Sequence, residues 1–235
     1  MPPRLLTIGL VMLALSLRAA AAMDVRLAKE QIIMSGPIDG GELAKLRDVM
    51  ADPAARSVDT VVLRDSPGGD YWTSQRIAEL IRERGWRTAV SGHCFSGCAL
   101  MFLGGRTRHF TDDKPALQTQ LAFHGTYYVQ DGIGSVRGDL NPVTTYAARQ
   151  WIKRHTDGKM SDAMLERFER LPGSDFIHFF DPHRLPRKDQ PSVFVCPRDK
   201  QEGKYRCTSI GGTDVYQEGI VTSGDLVRSA DRRSE

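Results

Sequence analysis

The stretch SGHCFSGCALMFLGG, residues 91–105, decides how the rest of this sequence is interpreted. The pattern predicts a strand just before it, at Trp86 to Val90, and a buried helix over its second half. Ser96 therefore stands at a strand-to-helix turn, between small residues that leave its hydroxyl accessible. Gly97 follows, and its N–H belongs to the first helical turn, where amides lack partners inside the helix. A hydroxyl beside such an amide suits a nucleophile of acyl transfer, although serine is also an ordinary helix cap.

The composition indicates an ordinary globular chain with a leader. Its 235 residues are 40% hydrophobic and 26% charged, which fits one domain with or without an appendage. Residues 1–22 carry an early positive charge, an apolar run and small residues at the end, the pattern of a secretory signal peptide. The apolar run is too short to span a bilayer. We therefore expect a periplasmic or secreted protein with no stable membrane span.

Charge gives no indication of a polyanionic partner. Loss of residues 1–22 removes two arginines and no acidic residue, so the formal net charge falls from +3 to +1. That excess is too small to indicate binding to nucleic acid or to an anionic membrane. No motif in the sequence indicates a cofactor.

Four cysteines form an even set, which favours disulfides in an oxidising compartment. Pairing of neighbours would link Cys94 to Cys98 and Cys196 to Cys207, the second closing a hairpin. Four cysteines permit three pairings, so the connectivity stays open. The separations match no standard zinc-ligand pattern, and no metal is expected.

Strands and helices alternate along the chain with short connections, which predicts an α/β fold with a parallel sheet covered by helices. The predicted strands lie at 31–38, 60–63, 86–90, 106–110 and 121–124. The predicted helices are one that residues 39–41 open and Pro53 ends, one at 72–84, one over the second half of residues 91–105, and two more at 142–154 and 161–170. Right-handed crossovers would bring the loops 66–70 and 92–98 to neighbouring strand ends, where sites in such sheets usually lie. Trp72, Trp86 and Phe102 are interpreted as core residues.

The chain after residue 188 is predicted to be an appendage. Residues 192–210 indicate a disulfide-clipped hairpin, and the charged tail after Gly224 is expected to be frayed. The predicted organisation is a signal peptide at 1–22, a main domain at 23–188, and a C-terminal hairpin with its tail at 189–235.

Three short motifs in order resemble a known family. Asp65-Ser66-Pro67-Gly68-Gly69, then Gly92-x-x-x-Ser96-x-x-Ala99, then Phe123-His124 are similar to the proteolytic subunit of the Clp protease. That subunit belongs to the Clp/crotonase superfamily, with signal-peptide peptidases and membrane-anchored serine proteases. The Gly-x-Cys-x-Ser-x-Cys pattern resembles exported bacterial relatives. The similarity covers Gln31 to Phe180 and implies repeated β-β-α units wound into a superhelix, followed here by a small C-terminal β extension.

The resemblance implies roles for particular residues. Ser96 would be the nucleophile and His124 the general base. The backbone N–H groups of Gly68, Gly69 and Gly97 would form the oxyanion hole. The segment after Pro67 would receive a substrate peptide as an added strand.

The third member of the triad is less clearly marked. It should lie roughly fifty residues after the histidine, where Asp175 is the best placed candidate and Asp162 and Asp181 stay open. Some relatives use a lysine base instead, for which Lys114, Lys153 and Lys159 are available.

These features predict an exported serine hydrolase, a peptidase acting on peptide or protein substrates. Two alternatives stay open: a non-enzymatic peptide-binding protein of the same fold, and an esterase or thioesterase. By analogy with relatives that form rings or trimers, the region 125–170 could mediate a homo-oligomer.

Overall fold

Nine strands form one mixed sheet in the computed structural model, which describes residues 22–125, 142–171, 175–197 and 206–230. The sheet order is β1-β2-β3-β4-β6-β7-β8-β9, with β5 also paired to β4. In chain order the strands are β1 (Asp24–Ala28), β2 (Gln31–Ser35), β3 (Thr60–Ser66), β4 (Arg87–Phe95), β5 (Arg108–Phe110), β6 (Gln120–Phe123), β7 (Asp175–Phe180), β8 (Val193–Pro197) and β9 (Thr208–Ser209). The predicted signal peptide lies outside these residues, except for residue 22.

The helices fall close to their predicted positions. They are α1 (Glu42–Ala51), α2 (Tyr71–Glu83), α3 (Gly97–Leu103), α4 (Pro142–His155) and α5 (Asp162–Arg170). Two begin at side-chain caps, because Asp70 accepts from the Thr73 N–H at 2.7 Å and Ser161 accepts from the Met164 N–H at 3.1 Å. Within the described part of the chain, no helix is both long and apolar enough to cross a membrane.

The predicted α/β class is confirmed, but the sheet is parallel only at its centre. Strands β2, β3, β4, β5 and β6 make the parallel pairs, while β1–β2 and the series β6–β7–β8–β9 are antiparallel. The β1–β2 hairpin was not predicted. Only Lys29 and Glu30 separate its strands, and Lys29 has a φ of 54°. Tight hairpin turns of this kind are usually marked in a sequence by glycine or asparagine, and neither residue is present here.

Strand β4 is longer than predicted, and this corrects the expected loop at residues 92–98. The strand continues past Val90 to Phe95, and Gly92 has a φ of 73° where it bends. At that bend the neighbour on one edge changes from β5 to β6. The loop before α3 is therefore reduced to Ser96 alone.

The helices cover one face of the sheet and form the main core. Residues of alternating strand positions, such as Met34, Leu63 and Cys94, meet the fully buried α3 and the apolar side of α2. The opposite face has a small cluster in which Ile33 and Val62 pack with Val227. Trp72 is not a core residue, because it is 58% exposed at the start of α2.

The chain after Gly224 is not frayed up to residue 230. The Val227 N–H donates to the Phe110 carbonyl at 2.9 Å, and Arg64 donates to Ser229 Oγ at 2.6 Å. This segment covers apolar positions on the second face of the sheet, and its charged composition gave no indication of that contact.

The segment before Gly224 is also bound to the main sheet. The buried Arg108 guanidinium donates to three carbonyls, those of Gly105, Gly219 and Ile220.

The two neighbouring cysteine pairs form as predicted. Cys94 is bonded to Cys98 and Cys196 to Cys207, and the second bridge links β8 to β9 as a clipped hairpin. Because β8 hydrogen bonds to β7, the hairpin continues the main sheet. The domain boundary between residues 188 and 189 stays a prediction.

Candidate active site

Ser96 lies in a strained turn between β4 and α3. Its φ and ψ are 55° and −122°, a region that costs an L-residue about 1–3 kcal/mol and persists only where the surrounding structure holds it. Its N–H donates to the Ala122 carbonyl at 2.9 Å, and its carbonyl accepts from the Leu100 N–H at 3.2 Å. The Ser96 side chain makes no capping hydrogen bond to α3. Its hydroxyl is therefore left for another partner.

That partner is His124. The Ser96 Oγ and the His124 Nε2 are 2.6 Å apart, across 28 residues of sequence. The contact follows from the sheet, because β6 pairs with β4 so that Phe95 faces Ala122, and His124 comes directly after β6. At this distance the imidazole can accept the hydroxyl proton when its own proton is on Nδ1.

Phe176 supports the histidine ring from the next strand. The His124 and Phe176 rings meet edge to face, with their centroids 4.8 Å apart. The register of β6 with β7 explains this contact, because continuing it by one pair beyond Phe123 and Ile177 places these residues opposite each other. The sequence carries no signal for this role of Phe176, since a phenylalanine at this position resembles any other core aromatic.

Gly68 makes close packing of the two loops possible. It has a φ of 89°, and a Cβ built on it would lie 2.7 Å from the Ser96 Cβ, 2.9 Å from the Gly97 nitrogen and closer still to the Phe95 carbonyl oxygen. Only glycine fits there. Its own N–H donates to Ser66 Oγ at 3.3 Å, so the predicted oxyanion role suits this amide less well than those of its neighbours.

The amides of Gly69 and Gly97 are better placed donors. Ile38 hydrogen bonds to the Gly68 carbonyl and the Asp70 N–H on either side of Gly69, so in a parallel bridge the Gly69 N–H points to the opposite edge. That edge faces α3, since the Gly69 carbonyl would lie 3.2 Å from a Cβ on Gly97. Within the described residues, neither amide donates a hydrogen bond.

Among the three candidate acids, Asp175 is the one whose position on the sheet is beside the histidine. It begins β7, and continuing the register with β6 places it opposite Gly125, the residue after His124. Asp162 is on the surface, bonded to Arg149 at 2.8 Å and Lys153 at 2.7 Å.

Asp181 has a structural position away from the histidine. Its buried carboxylate accepts from the His183 N–H at 3.0 Å and the Tyr216 hydroxyl at 3.2 Å. Of the three candidate acids, Asp175 is therefore the one that the β6–β7 register places beside the end of β6, where His124 lies.

The candidate lysine bases are engaged elsewhere. Lys114 is paired with Asp65, and Lys153 with Asp162, while the Lys159 stem packs at Gly219. Lys114 shares Asp65 with His93, whose Nδ1 lies 3.4 Å from the carboxylate. Burial lowers the pKa of His93, against the opposing effect of Asp65.

The two cysteine bridges differ in their relation to this site. Cys94 and Cys98 are fully buried and stand on either side of the Ser96 turn. Cys196 and Cys207 lie in the outer hairpin, where Cys207 is exposed. Among the described residues, no group of three or more His, Cys, Asp or Glu side chains could hold a metal ion.

A small pocket adjoins His124 on the helix side of the sheet. Its walls are mostly apolar, and its polar members are Arg149 and Glu169, which pair at 3.2 Å. The lining residues are His124, Gly125, Ala148, Arg149, Ile152, Leu165, Phe168 and Glu169. Helices α4 and α5 were predicted, but nothing in their pattern indicated that they would line a pocket at the histidine.

Comparisons with known proteins give distant structural similarity. No protein-family model matches the sequence, and a search of curated proteins finds no significant similarity. A mutant of a membrane-bound stomatin-specific protease is 14% identical, with a TM-score of 0.46, over 59% of this chain and 67% of that one.

Two further solved structures are described as enoyl-CoA hydratases. The one from Streptomyces coelicolor is 12% identical, with a TM-score of 0.44, over 98% of this chain and 74% of that one. The one from Rhodopseudomonas palustris is 14% identical, with a TM-score of 0.32, over 43% of this chain and 48% of that one. At such low identity, function must be argued from this chain's own residues.

Proposed function

We propose that this chain is an exported serine hydrolase that cleaves peptide bonds, with Ser96 as nucleophile, His124 as general base and Asp175 as the acid that orients it. The single observation that carries the proposal is the contact of 2.6 Å between Ser96 Oγ and His124 Nε2, made by a serine in a strained turn. Export is supported by the leader pattern of residues 1–22 and by the two disulfides.

The first half of the reaction forms an acyl-enzyme. Ser96 Oγ attacks the substrate carbonyl carbon while its proton passes to His124 Nε2. The carbonyl oxygen becomes an oxyanion, which the N–H groups of Gly69 and Gly97 would receive. His124 then returns the proton to the leaving amine as the carbon–nitrogen bond breaks.

The second half releases the acid. A water molecule gives a proton to His124 and attacks the acyl carbonyl, and the same two amides receive the second oxyanion. His124 then protonates Ser96 Oγ as the ester bond breaks, which restores the starting state. The small, mostly apolar pocket beside His124 offers a space for a substrate side chain.

Labelling with a fluorophosphonate probe tests the proposal directly, because the probe reacts with activated serines. The oxidised protein is expected to label, Ser96→Ala to lose all labelling, and His124→Ala to lose it by about 10³-fold or more. Asp175→Asn should fall between these, whereas Asp162→Asn, at a surface carboxylate, serves as the unaffected control.

The outcomes separate the alternatives. Folded, oxidised protein that does not label would favour a peptide-binding protein of the same fold. Labelling that needs Ser96 but survives loss of His124 would contradict the proposed base. Rates on amide and ester versions of one acyl group then distinguish a peptidase from an esterase, because only a peptidase turns over the amide efficiently.

A further inference from the structure

The disulfide Cys94–Cys98 encloses two residues that the proposed mechanism uses, the nucleophile Ser96 and the amide donor Gly97. Phe95, Ser96 and Gly97 lie between the two cysteines, whose Cα atoms are 5.2 Å apart. Cys94 is in β4, where it is flanked by both β3 and β6, and Cys98 is in the first turn of α3. The bridge therefore ties a central strand to the start of a helix across the proposed nucleophile.

The turn needs a restraint of this kind. Ser96 has a φ of 55°, and an L-residue stays there only where its surroundings prevent relaxation. Two backbone hydrogen bonds hold Ser96 itself, one to Ala122 and one from Leu100. The bond from Leu100 joins Ser96 to the first turn of α3, whose direction relative to β4 sets the position of the Gly97 amide beside the Ser96 hydroxyl. The covalent link between Cys94 and Cys98 adds a second and stronger tie between this turn and β4.

The second disulfide provides an internal comparison. Cys196–Cys207 joins β8 to β9, the last two strands in the sheet order. Cys207 is exposed and Cys196 partly buried, whereas Cys94 and Cys98 have no exposed surface. Any effect of thiol chemistry on the whole protein can therefore be separated from an effect at the turn.

We propose that the Cys94–Cys98 disulfide is a positioning element for the reaction, which holds Ser96 in its strained conformation and sets the distance from its hydroxyl to the Gly97 amide. The proposal rests on the proposed hydrolase function. When the bridge opens, the turn relaxes and the serine loses reactivity while the sheet and helices stay folded.

Opening the bridge is a two-electron reduction by a dithiol. One thiolate of dithiothreitol attacks the sulfur of one cysteine and displaces the other cysteine as a thiolate, and the second thiol of the reagent then closes its own disulfide. The chain gains two thiols, and the reagent leaves as its cyclic disulfide. Because both cysteines are buried, we expect Cys196–Cys207 to be reduced at lower dithiothreitol concentration.

The first test compares two double variants, C94A/C98A and C196A/C207A, by the kinetics of fluorophosphonate labelling. For C94A/C98A the maximal labelling rate constant should fall about tenfold or more, because the reacting groups are no longer held in position. The probe concentration at half-maximal rate should change little. C196A/C207A should label like the wild type. If the role of Cys94–Cys98 were purely structural, the maximal rate constant and the probe concentration at half-maximal rate would both change in C94A/C98A. Equal labelling of both double variants would overturn the proposal.

The second test needs no mutation at the turn. C196A/C207A has a single disulfide, so its labelling rate can be followed through a dithiothreitol titration, with thiol counting and circular dichroism at each point. Labelling should fall in step with thiol release, under native circular dichroism, and return on reoxidation. Loss of native circular dichroism together with labelling would mean that the bridge supports the whole fold, and would overturn the positioning role. Oxidised wild type that fails to label would instead reject the proposed hydrolase.

Discussion

Two clusters of polar side chains lie beside the second half of β4, and each contains a histidine. In one, Ser96 and His124 meet at 2.6 Å across the β4–β6 edge. In the other, the Asp65 carboxylate is paired with the Lys114 ammonium group and also contacts His93, so its charge is already compensated by the lysine. Residue types alone would make either cluster a candidate for acid–base chemistry.

The backbone separates the two clusters. At the first, a serine has positive φ and two amides, those of Gly69 and Gly97, donate no hydrogen bond to any described residue. In the second, the partly exposed ion pair between Asp65 and Lys114 joins strand β3 to the segment after β5, and His93 contacts the same carboxylate. Unused donors and a strained nucleophile distinguish a reactive arrangement from a stabilising one.

Two glycine-to-alanine substitutions, one beside each cluster, should give the largest difference in labelling rate. Gly68→Ala places a Cβ 2.7 Å from the Ser96 Cβ and against the Phe95 carbonyl, so the turn must shift, and we expect labelling to fall by about 10²-fold or more. Gly92→Ala directs its Cβ at the side chains of Asp65 and Lys114, which can rotate away. It should cost about 1–2 kcal/mol of unfolding free energy and leave labelling within about threefold.

Urea unfolding and labelling rates, measured on both variants, test this contrast. Both glycines have positive φ, 89° and 73°, so the strain of an L-residue is shared and the difference isolates what the new Cβ meets. Equal loss of labelling in the two variants would show that the clusters are coupled and that the comparison is unsound.

Substitution of either side chain that contacts Asp65 in the second cluster should have a smaller effect. His93→Gln and Lys114→Met each remove one partner of Asp65, and we expect about 0.5–1 kcal/mol lower stability, as for partly exposed ion pairs. The labelling rate and its pH profile should stay those of the wild type, because His124 supplies the base. A labelling rate for Lys114→Met that falls as far as that of His124→Ala would make the lysine a participant.

Much of this arrangement could be predicted because it depends on local sequence. The glycines at 68, 69 and 97, the serine between two cysteines and the histidine at a strand end are each marked by residue type and spacing. A parallel β-α-β order then brings loop ends together without knowledge of any side-chain contact. This is why Ser96 and His124 could be paired before the structure was known, and why the pairing of neighbouring cysteines stood among the three connectivities left open.

Features that depend on pairing across long distances in the sequence could not be predicted. The extension of β4 through Gly92 requires that β6 replace β5 as its neighbour, and the docking of residues 225–230 requires an uncovered sheet face. The difference between the amides of Gly68 and Gly69 arises from the bridge to Ile38 and the Ser66 hydroxyl. Local patterns carry no signal for such contacts.

The smallest expected effect concerns His178, whose ring lies 5.3 Å from Phe95 on the β7 side of the site. Burial lowers the pKa of His178 to about 4 in the folded protein, against about 6.5 for an unfolded chain. Between these values the unfolded state binds a proton that the folded state does not, so stability is complete above about pH 6.5 and is lost as the pH falls toward 4.

His178→Phe should remove this dependence without affecting the chemistry. The variant should lose about 1–2 kcal/mol less unfolding free energy than the wild type between pH 7 and pH 5, measured in urea. His183→Phe, at a side chain that is 68% exposed, is the matched control and should follow the wild type. Because His178 is neutral across this range, the pH profile of labelling should be unchanged in His178→Phe and should report His124 alone. If the pH profile of labelling in His178→Phe differed from that of the wild type, protonation of His178 rather than of His124 would govern the reactivity of Ser96.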